Sequence, residues 1–461
     1  MSALVYCGLP VPDGRPCRGD RRAETLDAPN QLTDPESTPP ALGDVRVLDL
    51  AGEIGQYCTK LLADLGADVI KVEPPDGDPV RNLPPFFHDE PGPEHSLYWW
   101  NLNTNKRSVT LSLGSEGGRD VFRKLAATAD VIVESFEPGY LDELGLGYEK
   151  LCQIRPDIIL TSVTGFGQTG PHSRYKAPDI VGVAMAGTMW LAGDPQDPPN
   201  LPPWKQGYIS SSIVTAAGTL IALCYRDLHG EGQHVDVSMQ EALSLTQETA
   251  MQTWDMLQVL RVRNGSRGII PIDIPGIGVY ETSDGHVYGY VGTPGGATWA
   301  DLLAWMADEG KAEDLTEEPY ADVCRNLTLR FLSGIATDPE AAKKVSFFPH
   351  VNEVLRRFVK SKSKWEMYEQ AQSRRLLFGI VSTPEDIAKN PQLRYKKWLT
   401  PVEHPELGQT LQYPGGPYEL SETPWAIRRR PPLAGEHTDE VLREIGISDG
   451  ERRALSAKGV V

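Results

Sequence analysis

Short apolar strands alternating with helix-length segments constrain this chain most. Val45-Arg46-Val47-Leu48-Asp49-Leu50 reads as a strand. Gln56 to Leu65 then places Cys58, Leu61, Leu62 and Leu65 at helical spacing and closes on Gly66. Ala67 to Val72 is a second strand, stopped by Pro74-Pro75. Two strands joined through a helix imply a parallel α/β sheet. The pattern continues with a helix at Gly118–Ala127, a strand at Asp130–Glu134, helix through Leu141–Ile154 and a strand at Ile158–Val163. Ser210–Tyr225 reads as a long apolar helix with small residues, followed by the turn Gly230–Gln233, a strand at Val235–Val237 and a helix from Met239. The glycine fingerprint of nicotinamide and flavin sites, GxGxxG, is absent.

Near residue 260 the character changes. Gly278-Val279-Tyr280 and His286–Val291, around Ser283-Asp284-Gly285, predict a hairpin, and Ala300–Leu377 is largely helical. α/β signals resume near Pro384 and end on a helix at Thr438–Ile445, with Thr438 as its expected N-cap. The resulting division is an extension at 1–43, a large Rossmann-like domain at 44–255 plus 396–461, and an inserted smaller α+β domain with linkers at 256–395.

With 461 residues, 40% hydrophobic and 23% charged, the chain has ample material for a core. No uninterrupted apolar run reaches membrane-spanning length, and the first ten residues lack a secretory signal pattern, so no membrane partner and a cytoplasmic location are expected. Cys7, Cys17, Cys58, Cys152, Cys224 and Cys324 lack CxxC spacing and read as free thiols, with no metal site. The net charge of −18 opposes nucleic acid and requires any anionic ligand to find local cations.

Several strings occur in a telling order. They are Leu62–Glu73 (LADLGADVIKVE), Asn105–Ser108 (NKRS), Ala129–Glu134 (ADVIVE), Gly165–Pro171 (GFGQTGP), Gly230–Asp236 (GEGQHVD), Thr383–Asp386 (TPED) and Pro432–Thr438 (PLAGEHT). In this order the chain resembles the family III CoA-transferases, which include formyl-CoA transferase, carnitine CoA-transferase and 2-methylacyl-CoA racemase. The resemblance implies a two-domain, ring-shaped subunit interlocked with a second ring in a dimer, active sites at the interface, and coenzyme A as co-substrate. It also implies an aspartate, opening a helix, that forms an acyl anhydride with the substrate.

This chain departs from that pattern at the chemistry. The nucleophile position falls on Gly207 in the racemase register and on Tyr208 in the transferase register. Neither can form an anhydride. The racemase His-Asp pair reads Pro178-Asp179, and its glutamate position falls near Pro294-Gly295. Pro74, Gly114, Ser135 and Glu143 stand where relatives hold CoA, and Glu137 where many carry Arg. Lys176 matches a CoA-contacting lysine, and Arg107, with Lys106, is a further candidate for steering an anion or for a structural salt bridge. Asp179 is the substitute-nucleophile candidate, against the plainer role of a cap or turn acid. Asp194 and Asp197 read as solvated loop acids, and Gly292–Gly296 as either a lid or a hairpin exit.

Scaffold without nucleophile implies a non-catalytic subunit of a heteromeric CoA-transferase. A paralogous catalytic subunit would supply the aspartate and bind most of the CoA, with no cofactor held tightly by this chain. The reaction would move CoA from an acyl-CoA such as succinyl-CoA to a carboxylic acid, as two-subunit members do for benzylsuccinate in anaerobic aromatic degradation. Two other readings stay open: an active homo-oligomeric transferase or racemase using another carboxylate, and a non-enzymatic binding or regulatory protein on the same fold.

Overall fold

The computed structural model describes residues 39–267, 272–292, 296–335 and 337–461. Six strands, β1 (Arg46–Leu50), β2 (Asp68–Glu73), β3 (Arg107–Thr110), β4 (Val131–Glu134), β5 (Ile159–Thr164) and β6 (His234–Ser238), form one sheet. All neighbours are parallel, in the order β3-β2-β1-β4-β5-β6. The order reverses between β1 and β4, so the loops after these strands diverge and leave a crevice at their carboxyl ends.

Alternation along each strand feeds two cores. Val47, Val69, Val131 and Ile159 meet Leu62, Ala216 and Leu223 on one face. Leu48, Ile70, Ile132 and Leu160 meet Phe122, Leu125, Val441 and Leu442 on the other. Burial on both faces explains why the strands read as nearly continuous apolar runs. A second body carries an antiparallel sheet of β7 (Ile277–Glu281), β8 (His286–Tyr290) and β9 (Phe378–Ile380), as the hairpin signal predicted for the first two. Its core gathers Trp299, Trp305, Phe348, Phe358 and Phe378. A further hairpin, β10 (Leu399–His404) with β11 (Gln409–Pro414), packs Val402 and Tyr413 with Trp99 and Trp100 of the first body.

Several expectations are corrected. The helix read through Leu141–Ile154 is two helices, Tyr140–Glu143 and Tyr148–Ile154, because Gly145 turns the chain at φ +67°. Thr438 is the first helical residue rather than the cap, and its hydroxyl accepts the Thr110 N–H at 3.1 Å, tying the last helices to β3. The long helix begins at Gln206, not Ser210, and runs to His229. With a mean hydropathy of 1.5 it is long and apolar enough, by length and composition, to cross a membrane. In the fold one side of this core helix is buried on the sheet, where the hydroxyls of Ser211, Thr215 and Thr219 donate to carbonyls one turn back. Its other side leaves Ile213, Ile221, Tyr225 and Leu228 exposed. Of the 1–43 extension, only its end is described: Pro40 packs on Gly66 and the Leu42 N–H donates to Leu65 O at 3.1 Å.

Buried charge joins β1, β2 and the residue that precedes β3. Lys106 donates to Asp49 Oδ2, Gln56 O and Asn103 Oδ1, each at 2.9 Å. Lys71 pairs with Asp78 at 2.8 Å and lies 3.7 Å from Asp49. Burial pushes the Lys106 ammonium down to about 8, against the pull of Asp49. Burial would raise the Asp49 carboxyl, but Lys106 and Lys71 hold it below its ordinary value. Replacing Lys106→Met leaves Asp49 with half its compensation. The expected loss is about 3–5 kcal/mol, as for other broken buried pairs, read as a lower midpoint in urea unfolding; an unchanged midpoint would refute the dependence.

Candidate functional site at the sheet crevice

The crevice is walled by the loop after β1, the loop after β4, the segment following β5 and the first turn of the core helix. It encloses a cavity of about 360 Å³ whose lining includes Ile54, Ser135, Glu137, Thr164, Lys176 and Tyr208. Strand ends deliver the polar groups here, as expected for a doubly wound sheet. Ser135 Oγ accepts the Gly52 N–H at 2.8 Å, which couples the β1 and β4 loops.

The first turn of the core helix holds Gly207 and Tyr208, as the register predicted, and no carboxylate of its own. The carboxylate present comes from Asp179, the first residue of the helix Asp179–Met185. Its Oδ1 accepts the Tyr208 N–H at 2.9 Å. Asp179 is therefore a cap acid, as its plainer reading held, but for the core helix rather than for its own. Burial raises the Asp179 carboxyl, while the Tyr208 and Gly207 amides and Lys205 pull it back. Beside it Lys205 pairs with Glu53 at 3.0 Å and lies 5.4 Å from the centre of the Tyr208 ring. Burial, with the nearby Glu53 carboxylate, pushes the Tyr208 phenol up to about 12, and burial pushes Tyr98 up beside it. Glu53, Tyr98 and Lys205 were missed in the sequence. The one signal for Glu53 was its place just past β1, where a doubly wound sheet collects functional side chains.

The anticipated CoA contacts divide. Lys176 borders the cavity, but its ammonium, largely exposed, is ion-paired with Glu137. That hydrogen bond and charge hold the Glu137 carboxyl below its ordinary value. Pro74 and Glu143 are exposed and line no part of the cavity. Space around Gly114 is open. Arg107 stands elsewhere: it opens β3 at the amino end of the sheet and binds Asp68 at 2.7 Å, Glu440 at 2.8 Å and Glu444 at 2.6 Å. Its guanidinium is committed to joining β2, β3 and the helix Thr438–Glu444, which corrects its assignment to the cofactor. Lys106 is wholly buried and equally committed. Asp194 pairs with Arg267 at 2.9 Å, and the backbone carbonyl of Asp197 accepts from Arg263. Pro294 and Gly295, with the middle of the Gly292–Gly296 segment, lie outside the described residues, as do Cys7 and Cys17. The described cysteines Cys58, Cys152, Cys224 and Cys324 are free thiols. Among the described residues no cluster of His, Cys, Asp and Glu could hold a metal ion.

The chain matches the CoA-transferase family III profile over residues 42–438. It belongs to CoA-transferase family III. It is 36% identical over 432 residues to the succinyl-CoA:(R)-benzylsuccinate CoA-transferase subunit BbsE of Thauera aromatica, covering 90% of this chain and 97% of that protein. A succinyl-CoA:mesaconate CoA-transferase of Haloarcula hispanica is 32% identical over 90% of this chain and 99% of its own length. A formyl-CoA:oxalate CoA-transferase of Streptomyces coelicolor is 31% identical over 92% and 100%. Among solved structures, a CAIB/BAIF family protein from Brucella suis superposes with a TM-score of 0.74 at 25% identity, covering 88% of this chain and all of that one. The α/β class and the family reading of the sequence therefore hold, and family III chemistry, with CoA as co-substrate, frames the site.

Glu134 ends β4, immediately before the cavity-lining Ser135. Burial pushes its carboxyl up to about 7; Ser162 and the Phe136 N–H oppose this, while Asp236 and Asp142 add to it. Ser162 Oγ also meets His234 Nε2 at 2.9 Å, and burial holds that imidazole below its ordinary value. Because the folded pKa is raised, the native state keeps a proton that the unfolded chain has lost between pH 4.5 and 7. Stability falls as pH rises through that window, by at most about 1.4 kcal/mol per pH unit from one proton, and the full cost stands above it. Glu134→Gln is expected to flatten this part of the stability profile in urea melts across pH 5–8. A parallel profile for wild type and variant would refute it.

Proposed function

We propose that this chain is the non-catalytic subunit of a two-subunit family III CoA-transferase. The observation that carries this is the first turn of the core helix, where Gly207 and Tyr208 stand in place of the acyl-accepting aspartate. Likeness to a named subunit of a succinyl-CoA:(R)-benzylsuccinate CoA-transferase supports it, as does 30% identity to the beta subunit of a succinyl-CoA–L-malate CoA-transferase of Chloroflexus aurantiacus. In this reading a paralogous chain supplies an aspartate that attacks the acyl-CoA thioester and expels CoA thiolate, forming an acyl–aspartyl anhydride. The thiolate attacks the aspartyl carbonyl and frees the donor carboxylate. The acceptor carboxylate displaces thiolate from the resulting aspartyl-CoA thioester to form a second anhydride. Thiolate attack on the acceptor's acyl carbon then yields the new acyl-CoA and regenerates the aspartate. Succinyl-CoA is the donor class and an aromatic dicarboxylate of the benzylsuccinate type the acceptor, in a cytoplasmic setting.

The fit of CoA to this chain's own crevice is poor. CoA brings several phosphate charges; of the two cations that line the cavity, Lys176 is already paired with Glu137, which leaves Arg174 alone to meet them. Two unit charges of like sign about 4 Å apart repel by about 4 kcal/mol at an intermediate dielectric. The lone chain is expected to bind CoA more weakly than micromolar, which corresponds to about 8 kcal/mol of binding free energy. Calorimetry giving micromolar affinity would contradict this.

The exposed apolar face of the core helix supports an obligate partner, because Ile213, Ile221, Tyr225 and Leu228 form a stripe along it. We place residues 44–255 with 396–461 in the large domain and 256–395 in the small one, with the subunit a ring interlocked with its partner. Obligate interfaces of that kind bury more than about 2,000 Å². A second reading, turnover by this chain through Asp179, draws on the carboxylate at the core helix's first turn. The deciding experiment expresses the chain alone and with an aspartate-bearing paralogue, then assays CoA transfer and mass. Activity is expected only from the complex, with hydroxylamine-trappable acyl on the partner alone. Turnover by the single chain would sink the proposal.

A further inference from the structure

A line of polar side chains crosses the sheet beside the crevice. Glu134 of β4 and Ser162 of β5 are directly paired positions, and Ser162 is paired in turn with Asp236 of β6. Paired positions on neighbouring strands turn their side chains to the same face. Glu134 and Ser162 are both buried, at 4% and 1% exposure. Glu134 Oε2 accepts the Phe136 N–H at 2.6 Å, and the Ser162 hydroxyl bonds the same carboxyl. Ser162 Oγ also meets His234 Nε2 at 2.9 Å. His234 opens β6, is exposed, and stacks its ring on Tyr148 at 5.6 Å. The line therefore runs from an acid closed off from solvent, through one hydroxyl, to an imidazole at the surface.

A serine hydroxyl carries one proton and cannot donate to both neighbours at once. When Glu134 is protonated, its O–H donates to Ser162 Oγ, the Ser162 O–H donates to His234 Nε2, and the neutral imidazole keeps its proton on Nδ1. When Glu134 is ionised it only accepts. Ser162 then turns to the carboxylate, and Nε2 carries a proton that it donates to Oγ. The two states reverse every bond in the line. We propose that Ser162 and His234 form the proton path by which the buried Glu134 exchanges with solvent. As the Glu134 proton passes to Ser162 Oγ, the hydroxyl proton passes to Nε2, and the imidazole releases its Nδ1 proton to water. One proton leaves in all, Ser162 ends with one, and the imidazole ends neutral with its proton on Nε2. The path lets an acid that adjoins the cavity lining change charge without local unfolding. Asp236 of β6 and Asp142 of the helix Tyr140–Glu143 face both Glu134 and His234, and Tyr148, itself bonded to Cys152, covers the imidazole. Nothing in this path depends on which chain of a complex carries the aspartate.

The experiment reads the ring nitrogens of His234 by NMR in the full chain labelled with nitrogen-15 histidine, co-expressed with its partner where the lone chain does not stay in solution. The signal is assigned by its loss in His234→Gln, and Glu134 is followed separately through its carboxyl carbon. In wild type the neutral imidazole is expected to shift from the Nδ1–H to the Nε2–H form as pH rises through the Glu134 midpoint at about 7. Glu134→Gln is expected to hold the Nδ1–H form throughout, because its amide oxygen keeps the Phe136 N–H and its NH2 is left to donate to Ser162. Ser162→Ala is expected to lose the tautomer change at the Glu134 midpoint and to slow exchange of the Glu134 proton several-fold in relaxation dispersion. Ser162→Thr, which restores a hydroxyl, is expected to recover both. A His234 tautomer that stays constant across the Glu134 midpoint in wild type would overturn the proposal, and that measurement needs no substitution at Ser162 to fold. So would a tautomer change or an exchange rate left intact by Ser162→Ala.

Discussion

The sheet and the crevice both depend on how the buried Asp49 carboxylate is satisfied. Lys106 and Thr59 hold Oδ2 at 2.9 and 2.6 Å, and the Ala51 N–H holds Oδ1 at 3.0 Å. Lys71 passes the charge on to Asp78, whose backbone N–H donates to Glu73 Oε2 at 2.8 Å. Arg81 then binds Glu73 at 2.7 Å and stacks over Trp99 at 3.8 Å. A buried charge costs several kcal/mol unless paired and hydrogen-bonded. Here each member is paired, and the pairs connect β1, β2 and the residue that precedes β3 to the loop that forms one wall of the cavity. The same network gives the NKRS string a structural meaning: its lysine is an internal strut and its arginine ties β3 to the helix Thr438–Glu444.

On the proposed reading, the site keeps a family III scaffold without a carboxylate on the first turn of the core helix. Anhydride formation needs a carboxylate on the first helical turn, free to reach a thioester. Asp179 is a carboxylate at that turn, but it is engaged by the Tyr208 amide and enclosed by the helix junction. Lys205 pairs with Glu53 beside it, Tyr208 lines the cavity, and Lys176 is neutralised by Glu137. Each substitution is modest alone. Gly207 and Tyr208 offer no carboxylate and Lys176 is paired, while Arg174 still lines the cavity and the apolar face of the core helix is exposed.

The strands, their parallel order and the main helices were legible because alternation and apolar runs report burial directly. Cys58, Leu62 and Gly66 marked the first helix and its end, and counting back from Gly230 gave Gly207 and Tyr208 as the positions where the family resemblance implies a nucleophile. Less legible were features that depend on a partner far along the chain. Gly145 splits a helix through its backbone angle, and Thr438 gives its hydroxyl to Thr110 on β3 instead of capping its own helix. Arg107 illustrates the same limit: its type suits an anion site, yet its partners Glu440 and Glu444 lie over three hundred positions away.

The sequence by itself determined the α/β class, the family, and the absence of a carboxylate at Gly207 and Tyr208, because each is a property of residue type and local spacing. Only the tertiary structure decided where the remaining charges went. Asp179 meets the core helix because two helices separated by a loop converge on Met239, and no local pattern encodes that approach. Glu53, Lys205 and Tyr208 become one group only when the β1 loop and the helix start are brought within ion-pair distance. Charge and hydrogen-bond energies depend on separations of a few ångströms, and those separations are set by packing between distant segments rather than by neighbours in the chain.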